Sequence, residues 1–552
     1  MTNEQMKDPD ADSVETGDTG HDFAGDQMEP ARSGLKVDHF LKPDHDHIVF
    51  PTRETPRQRD GLRFRRAPDH FDYMTSVWRK RRRQITGPAE EEPEPRRSGG
   101  WRARLGLSPY HRNPAHVLLA HPGVIATLLI TLALVLRVVE IQRTSYTPVH
   151  DDRSYLILGG QIAHSGDYAS DQSGVGQTKV GPTAYFAPAY PYLLGALDAV
   201  SGNPPTSSSQ VQVDRLAQAV LGALVVGLVG LIALELFGVD MALLAMALAA
   251  IYPVMIEMSS ILAAETLMTV FELAAVWAAL RLRHSQDPLR WTVVAGVFTG
   301  LAALTDTNAI LLLIPLAVAV SRVVPVVGRR QVAGVLVLIG AALLTLSPWL
   351  IRDGVVMHRF VPITDESGIT LAGTYNATSA HSHPPYQALY YRQLPEFATL
   401  ARHSSHLTET ELSSRLQSRA LTYVAHHPAS VLGAFWHNSL RLLELEGSKA
   451  WHDSATSVGL TQATAEIGVY CFWALCLLAL LGLVGPPGMK APGWLWAVPV
   501  IMWLSAALVN GETPRFRTAV DPFLVLLAAR GIARVAGWIR KRPVVPSRAA
   551  AT

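Results

Sequence analysis

The chain has 552 residues, 49% of them hydrophobic, and carries 48 Lys and Arg against 46 Asp and Glu. A formal net charge of +2 gives no sign of a nucleic-acid partner. Its two cysteines, Cys471 and Cys476, share one apolar stretch, point to different faces and read as core hydrophobes, which excludes a disulfide framework.

These averages conceal two unlike halves. Residues 1–113 are rich in Asp, Glu, Arg, Pro and Gly, have no sustained apolar period, and read as a disordered cytoplasmic tail. Within the tail, Arg79-Lys80-Arg81-Arg82-Arg83 reads first as a cytoplasmic flank, with contact to anionic lipid headgroups or nucleic acid as the competing readings. No secretory signal is expected, because the first apolar run begins late and is long. From Val117 onward, apolar runs recur that are mostly long enough to cross a hydrocarbon core of about 30 Å. The expected fold is therefore an all-α integral membrane protein.

Ten spans are predicted, at 117–136, 216–234, 241–258, 265–282, 291–305, 308–323, 332–351, 466–485, 493–510 and 518–537. The loops with Arg281, Arg283 and Arg290, with Arg322, Arg329 and Arg330, and with Lys490 fall on the side of the basic tail, as does Arg540-Lys541-Arg542. The alternating short loops at 259–264 and 306–307 contain no Lys or Arg. The charge rule then places both termini in the cytoplasm of a plasma (inner) membrane protein. The predicted organisation is a tail (1–113), a transmembrane core (114–351) with a first outer loop (141–215), an extracytoplasmic loop domain (352–465), C-terminal spans (466–539) and a short cytoplasmic end (540–552).

In the first outer loop an amphipathic helix is expected from about Arg153 to His164, with Tyr155, Leu158 and Ile162 on its apolar face. Ala187–Val200 is apolar but too short to span, and reads as an interfacial or re-entrant helix. In the second outer loop, Leu421–Leu445 reads as one helix with a stripe of Trp436, Leu440 and Leu443; Trp436, His437 and Trp451 suit a membrane interface.

Under this topology several unusual polar residues converge on the outer face. Asp151, Asp152, Tyr155 and Lys179 come from the first outer loop. Glu265 enters one span, Asp306 lies in the next outer turn, Arg352 follows the seventh span, and Arg515 and Arg517 precede the last. Charge near a bilayer is costly and is retained mainly where it has a use. Arginine grips phosphate with a planar fork of donors that stays charged. A carboxylate can act as general base for an acceptor hydroxyl, and a phosphate leaving group needs no general acid. These are sufficient parts for inverting sugar transfer from a polyprenyl phosphate. Plain structural readings compete: Asp151 or Asp152 as a helix cap, Glu265 as a helix-dipole residue, Asp306 as a cap, and Arg515 and Arg517 as snorkelling interface residues. The loop histidines His381, His383, His426 and His427 lack metal-ligand spacing, so no metal or other cofactor is indicated. No Walker or Rossmann signature is present.

The ordered set DDRSY (151–155), SGDYA, FAPAYPYLL, AETL with Glu265, GLAALTDTN, SPWLIRDGVVMHRFVPIT and RFRTAVDPFLVLLAA resembles the GT-C class of membrane glycosyltransferases. The likeness is to the family 39 and aminoarabinose-transferase-like branch, which includes the protein O-mannosyltransferases. It covers roughly 140–375 and 510–530. The resemblance implies a polyprenyl-phosphate-linked sugar donor, an extracytoplasmic acceptor hydroxyl on protein, lipid or envelope glycan, and inversion at the anomeric carbon. It also implies Asp151 as the base, Glu265 as an acidic residue that assists acceptor or donor binding, and Arg515 and Arg517 in the phosphate grip. A transporter or flippase of lipid-linked sugars is the rival reading, and a non-catalytic relative is a third.

Overall fold

The computed structural model describes residues 121–170, 180–323, 329–457, 461–484, 490–511 and 515–540. The tail at 1–113 and Lys179 lie outside the described residues. Among the described residues the architecture is helical apart from one antiparallel pair of two-residue strands, β1 (Ala169–Ser170) and β2 (Gly181–Pro182), between the helices His150–Ser165 and Ala189–Ser201.

Helices fall on every predicted span. They are α1 (Pro122–Arg143), α4 (Ser208–Phe237), α5 (Val239–Ile251) continued by α6 (Pro253–Met258), α7 (Ala264–Arg281) and α8 (Pro288–Ala303). A 3-10 turn (Thr307–Leu312) then runs into α9 (Leu313–Val323), followed by α10 (Arg329–Val356), α15 (Gln462–Leu483), α16 (Gly493–Val509) and α17 (Asp521–Arg540). The α1, α4, α10 and α15 helices are long and apolar enough to cross a membrane by length and composition; α5, α8, Thr307–Arg322 and α16 are shorter apolar helices. Their outward faces are apolar, as at Leu128, Leu336, Leu344 and Leu477. A surface of that kind suits lipid rather than water, and the chain is a multi-pass membrane protein.

Between the spans lie α2 (His150–Ser165) and α3 (Ala189–Ser201), which pack on one another. Leu194 and Gly195 of α3 sit against Gly159 of α2. A helix is thus present at both expected stretches. The main core joins α1, α4–α10, α15, α16 and α17. Its tightest seam is between α15 and α17, where Gly482 and Gly531 each approach the partner backbone so closely that a Cβ would collide with a carbonyl. Small residues permit such approach between membrane helices.

The region 352–465 carries α11 (Ser367–Thr374), α12 (Glu409–His426), α13 (Ala429–Leu442) and α14 (Ser448–Ser457). The single helix expected over Leu421–Leu445 is in fact two, broken at His427-Pro428. Proline cannot continue the ladder, and its ring disfavours helix at the residue before it. The α12 helix begins with a capping box between Thr408 and Glu411. Glu409 beside it reaches the first outer loop, accepting from Thr183 Oγ1 at 2.7 Å and from the Ala184 amide at 2.8 Å.

Candidate functional site

Asp151 is the second residue of α2. The first, His150, holds φ at 46°, a left-handed conformation uncommon for a residue with a Cβ. Strain of this kind persists only where the surroundings fix it. Ile363, at φ 80°, is a second case, three residues before Glu366.

Arg515, in the 3-10 turn Arg515–Arg517 ahead of α17, joins two remote carboxylates. Its Nη1 donates to Asp151 Oδ2 at 2.7 Å, and its Nε donates to Glu265 Oε1. Glu265 is in the first turn of α7, and only 4% of its side chain is exposed, against 19% for Asp151 and 13% for Arg515. A fork that bonds two carboxylates through different nitrogens fixes both in orientation as well as in charge. The second oxygen of Glu265 is buried and has no hydrogen-bond partner among the described residues. An orphan acceptor of that kind is an available anchor for a hydroxyl.

Two further carboxylates face this group. Asp306 accepts from the Asn308 amide at 2.9 Å and so caps the 3-10 turn, as its plain reading held. Burial pushes its carboxyl up to about 6, with Glu265 adding to the rise. Glu366, at the head of α11, feels Asp151, Arg515, Asp306 and Glu265; burial pushes it up to about 8, and Asp151 adds to the rise. Tyr155 completes the wall. It is buried, its ring lies 4.8 Å from that of Phe186 and 5.0 Å from that of Tyr190, and burial pushes its hydroxyl well up.

Three expectations are corrected. Asp152, expected as a second catalytic acid or a helix cap, is the third residue of α2; the cap position is Val149 and makes no side-chain cap. The Asp152 carboxylate is buried and accepts from the Tyr146 hydroxyl. Burial pushes its pKa well above the ordinary value.

Arg517, expected in the phosphate grip, is completely buried. It donates to the Leu442 carbonyl at 2.9 Å, pairs with Glu444 at 3.1 Å and Asp521 at 3.2 Å, and lies over the Phe472 ring. A side chain so enclosed cannot reach a lipid headgroup. Only Phe516 separates it from Arg515, yet the turn sends the two arginines to different partners.

Arg352, expected at substrate, donates to the Thr183 carbonyl at 2.6 Å, to the Tyr168 carbonyl at 2.8 Å and to Asp353 at 2.8 Å. It ties the residues flanking the β1–β2 pair to the end of α10. Glu366 and Tyr146 are the site residues that sequence reasoning missed. Glu366 sits in a patternless stretch, TDESG; the only signal for Tyr146 was its nearness to the acidic pair.

Residues 187–351, under a third of the chain, match the protein family described as dolichyl-phosphate-mannose-protein mannosyltransferase. No curated protein matches the chain. Among solved structures, it is similar to the archaeal oligosaccharyltransferase AglB from Archaeoglobus fulgidus, in complex with an inhibitory peptide and a dolichol-phosphate. That likeness has 14% identity and a TM-score of 0.45, over 76% of this chain and 51% of that one. It is also similar to ArnT from Cupriavidus metallidurans bound to undecaprenyl phosphate, with 15% identity and a TM-score of 0.37 over 74% of this chain and 78% of that one. The chain spans about half the length of the archaeal protein. The family match falls inside the region where the ordered motifs resemble the GT-C glycosyltransferases.

Proposed function

With its central segment matching the protein-mannosyltransferase family, we propose that this chain is an inverting glycosyltransferase. It moves a sugar from a polyprenyl phosphate to a hydroxyl of an extracytoplasmic acceptor. The observation that carries the reading is the Arg515 fork between Asp151, at the start of α2, and Glu265, in the first turn of α7. The acceptor oxygen bonds to the anomeric carbon as the bond from that carbon to the phosphate oxygen breaks. The acceptor proton passes to Asp151, and the polyprenyl phosphate leaves with the bonding electrons. Arg515 balances the charge gathering on the phosphate, a role that strengthens in a site shielded from water. Glu265 holds Arg515 with one oxygen and offers the other to a substrate hydroxyl. Lys179 is a further candidate for the phosphate.

Arg515→Gln tests the grip. Binding of polyprenyl phosphate to the reconstituted chain should weaken about tenfold or more, the worth of a lost charge-assisted pair of bonds. Arg515→Lys should restore only part of that affinity, because the fork is lost. Unchanged affinity in the Gln variant removes Arg515 from the donor site.

Glu366 gives a pH signature. Its proton is held in the folded chain up to about 8, above the ordinary 4.5, so its contribution to stability falls as pH rises through that window. Once ionised, it competes with donor phosphate for Arg515. Donor affinity in the native chain should therefore fall between about pH 7 and 9, and Glu366→Gln should flatten that fall. Equal pH dependence in the two proteins contradicts the assignment.

Orientation is testable by accessibility. Ser404 is buried, so the exposed Ser405 is the better probe of the 352–465 region, with Gln286 for the α7–α8 loop. With Cys471 and Cys476 replaced by Ala, an impermeant outside reagent should label Ser405→Cys and not Gln286→Cys. The reverse pattern inverts the topology and moves the site to the cytoplasmic side.

A further inference from the structure

The turn that delivers Glu265 passes through the protein interior, with Ser259, Ser260, Ile261, Leu262 and Ala263 all buried. Its polar groups must be met by neighbours, since water is excluded. Side chains from α1, α4 and the α1–α2 linker meet them. Arg137 Nε donates to Ser259 Oγ at 2.7 Å, and Arg215 Nε donates to the Ser260 carbonyl at 2.6 Å. Gln218 Nε2 donates to the carbonyls of Ile261 at 3.0 Å and Ala263 at 2.7 Å. The Leu262 amide donates to the Tyr146 hydroxyl at 3.2 Å.

That tyrosine differs from the other three in what it does next. Its hydroxyl donates to Asp152 Oδ2, one residue from Asp151 on α2. Among the described residues of this clamp, Tyr146 thus bonds both to the Glu265 turn and to the helix that presents Asp151. Its ring is itself held, with the Arg215 guanidinium 5.0 Å from its centre and the same group donating to Thr144 Oγ1 at 2.8 Å.

We propose that Tyr146, with Asp152 as its acceptor, is a positioning residue that sets Asp151 against Glu265 at the separation Arg515 can bridge. Its catalytic consequence rests on the transferase reading; the clamp itself does not. Misplacement of a reacting group by about 1 Å can cost about 10²-fold in rate, so one hydroxyl suffices to matter.

The test uses the full chain in lipid bilayers, with Tyr146→Phe, Asp152→Ala, Asp152→Asn and the Tyr146→Phe/Asp152→Ala double variant. Transfer is read per folded molecule in a single turnover. Donor binding and deuterium uptake at residues 259–263 are read alongside. Tyr146→Phe and Asp152→Ala should each slow transfer about 10- to 100-fold with donor affinity nearly native. The double variant should be no slower than the worse single, because both remove one shared bond. Asp152→Asn keeps an acceptor oxygen for Tyr146 and should recover most of the rate lost in Asp152→Ala. Uptake at 259–263 should rise in Tyr146→Phe while that of α15 and α17 stays native. Native rate with native uptake in Tyr146→Phe overturns the proposal, as do effects that multiply in the double variant, or an Asn variant as slow as the Ala variant. Should the native chain transfer nothing, the transferase reading falls, and uptake alone decides: raised exchange at 259–263 supports the clamp, and native exchange refutes it.

Discussion

Asp151→Asn is expected to transfer sugar about 10²-fold or more slowly than the native chain, the loss typical of removing a general base. The amide keeps the size of the side chain and still accepts a bond from Arg515 through its oxygen, but it cannot take up the acceptor's proton. Donor affinity should therefore stay close to native, which separates a loss of chemistry from a loss of binding. Asp151 is suited to the role by its place as much as by its type. It is at the open end of α2, partly exposed and oriented by Arg515, whereas Asp152, one residue on, is turned inward to Tyr146. A native rate in Asp151→Asn, with donor bound, would move the base to Glu265 or Glu366.

The second large effect is on folding. Arg517→Gln should destabilise the chain by about 3–5 kcal/mol, because it strips the positive partner from Glu444 and Asp521 in a buried site. The measurement is thermal unfolding in detergent, with loss of the folded fraction as readout. Arg515→Gln should be destabilised less, because Arg515 and its partner Asp151 are partly exposed and water can reach that pair. Equal thermal stability of the two Gln variants contradicts the division of roles between these arginines. In a double variant the damage to folding would mask the damage to binding, so the two residues have to be tested singly.

The helices were legible in the sequence because apolar run length is a local property: helices fall on all ten stretches, and four of them are long and apolar enough to span. The short helix Ala189–Ser201 was legible for the same reason, while α2, expected from about Arg153 by its periodicity, begins three residues earlier at His150. The parts of the site were also legible one by one: Asp151, Glu265, Asp306 and Arg515 each stand out as charge at a helix end. Their union was not, since the Arg515–Asp151 bond joins residues 364 positions apart. Nothing in the RFR spacing tells which arginine turns inward; that is decided by Glu444 and Asp521 on neighbouring elements. Arg352 was misjudged likewise, its partners being main-chain carbonyls of the first outer loop. Pro428 was a signal in plain view, and the helix expected across it overlooked a local rule. Glu366 had no local signal, because its setting is made entirely by tertiary contacts.

The central claim is that the chain breaks and forms a glycosidic bond. Its most direct test is single-turnover incubation of the native full-length chain, reconstituted in lipid vesicles, with polyprenyl-phosphate hexoses and pentoses and a hydroxyl-bearing acceptor supplied on the outer face. The account predicts release of polyprenyl phosphate together with a glycosylated acceptor of inverted anomeric configuration, and loss of both products in Asp151→Asn. Movement of intact lipid-linked sugar across the bilayer, with no glycoside formed from any donor and no difference between native and Asp151→Asn, would contradict it.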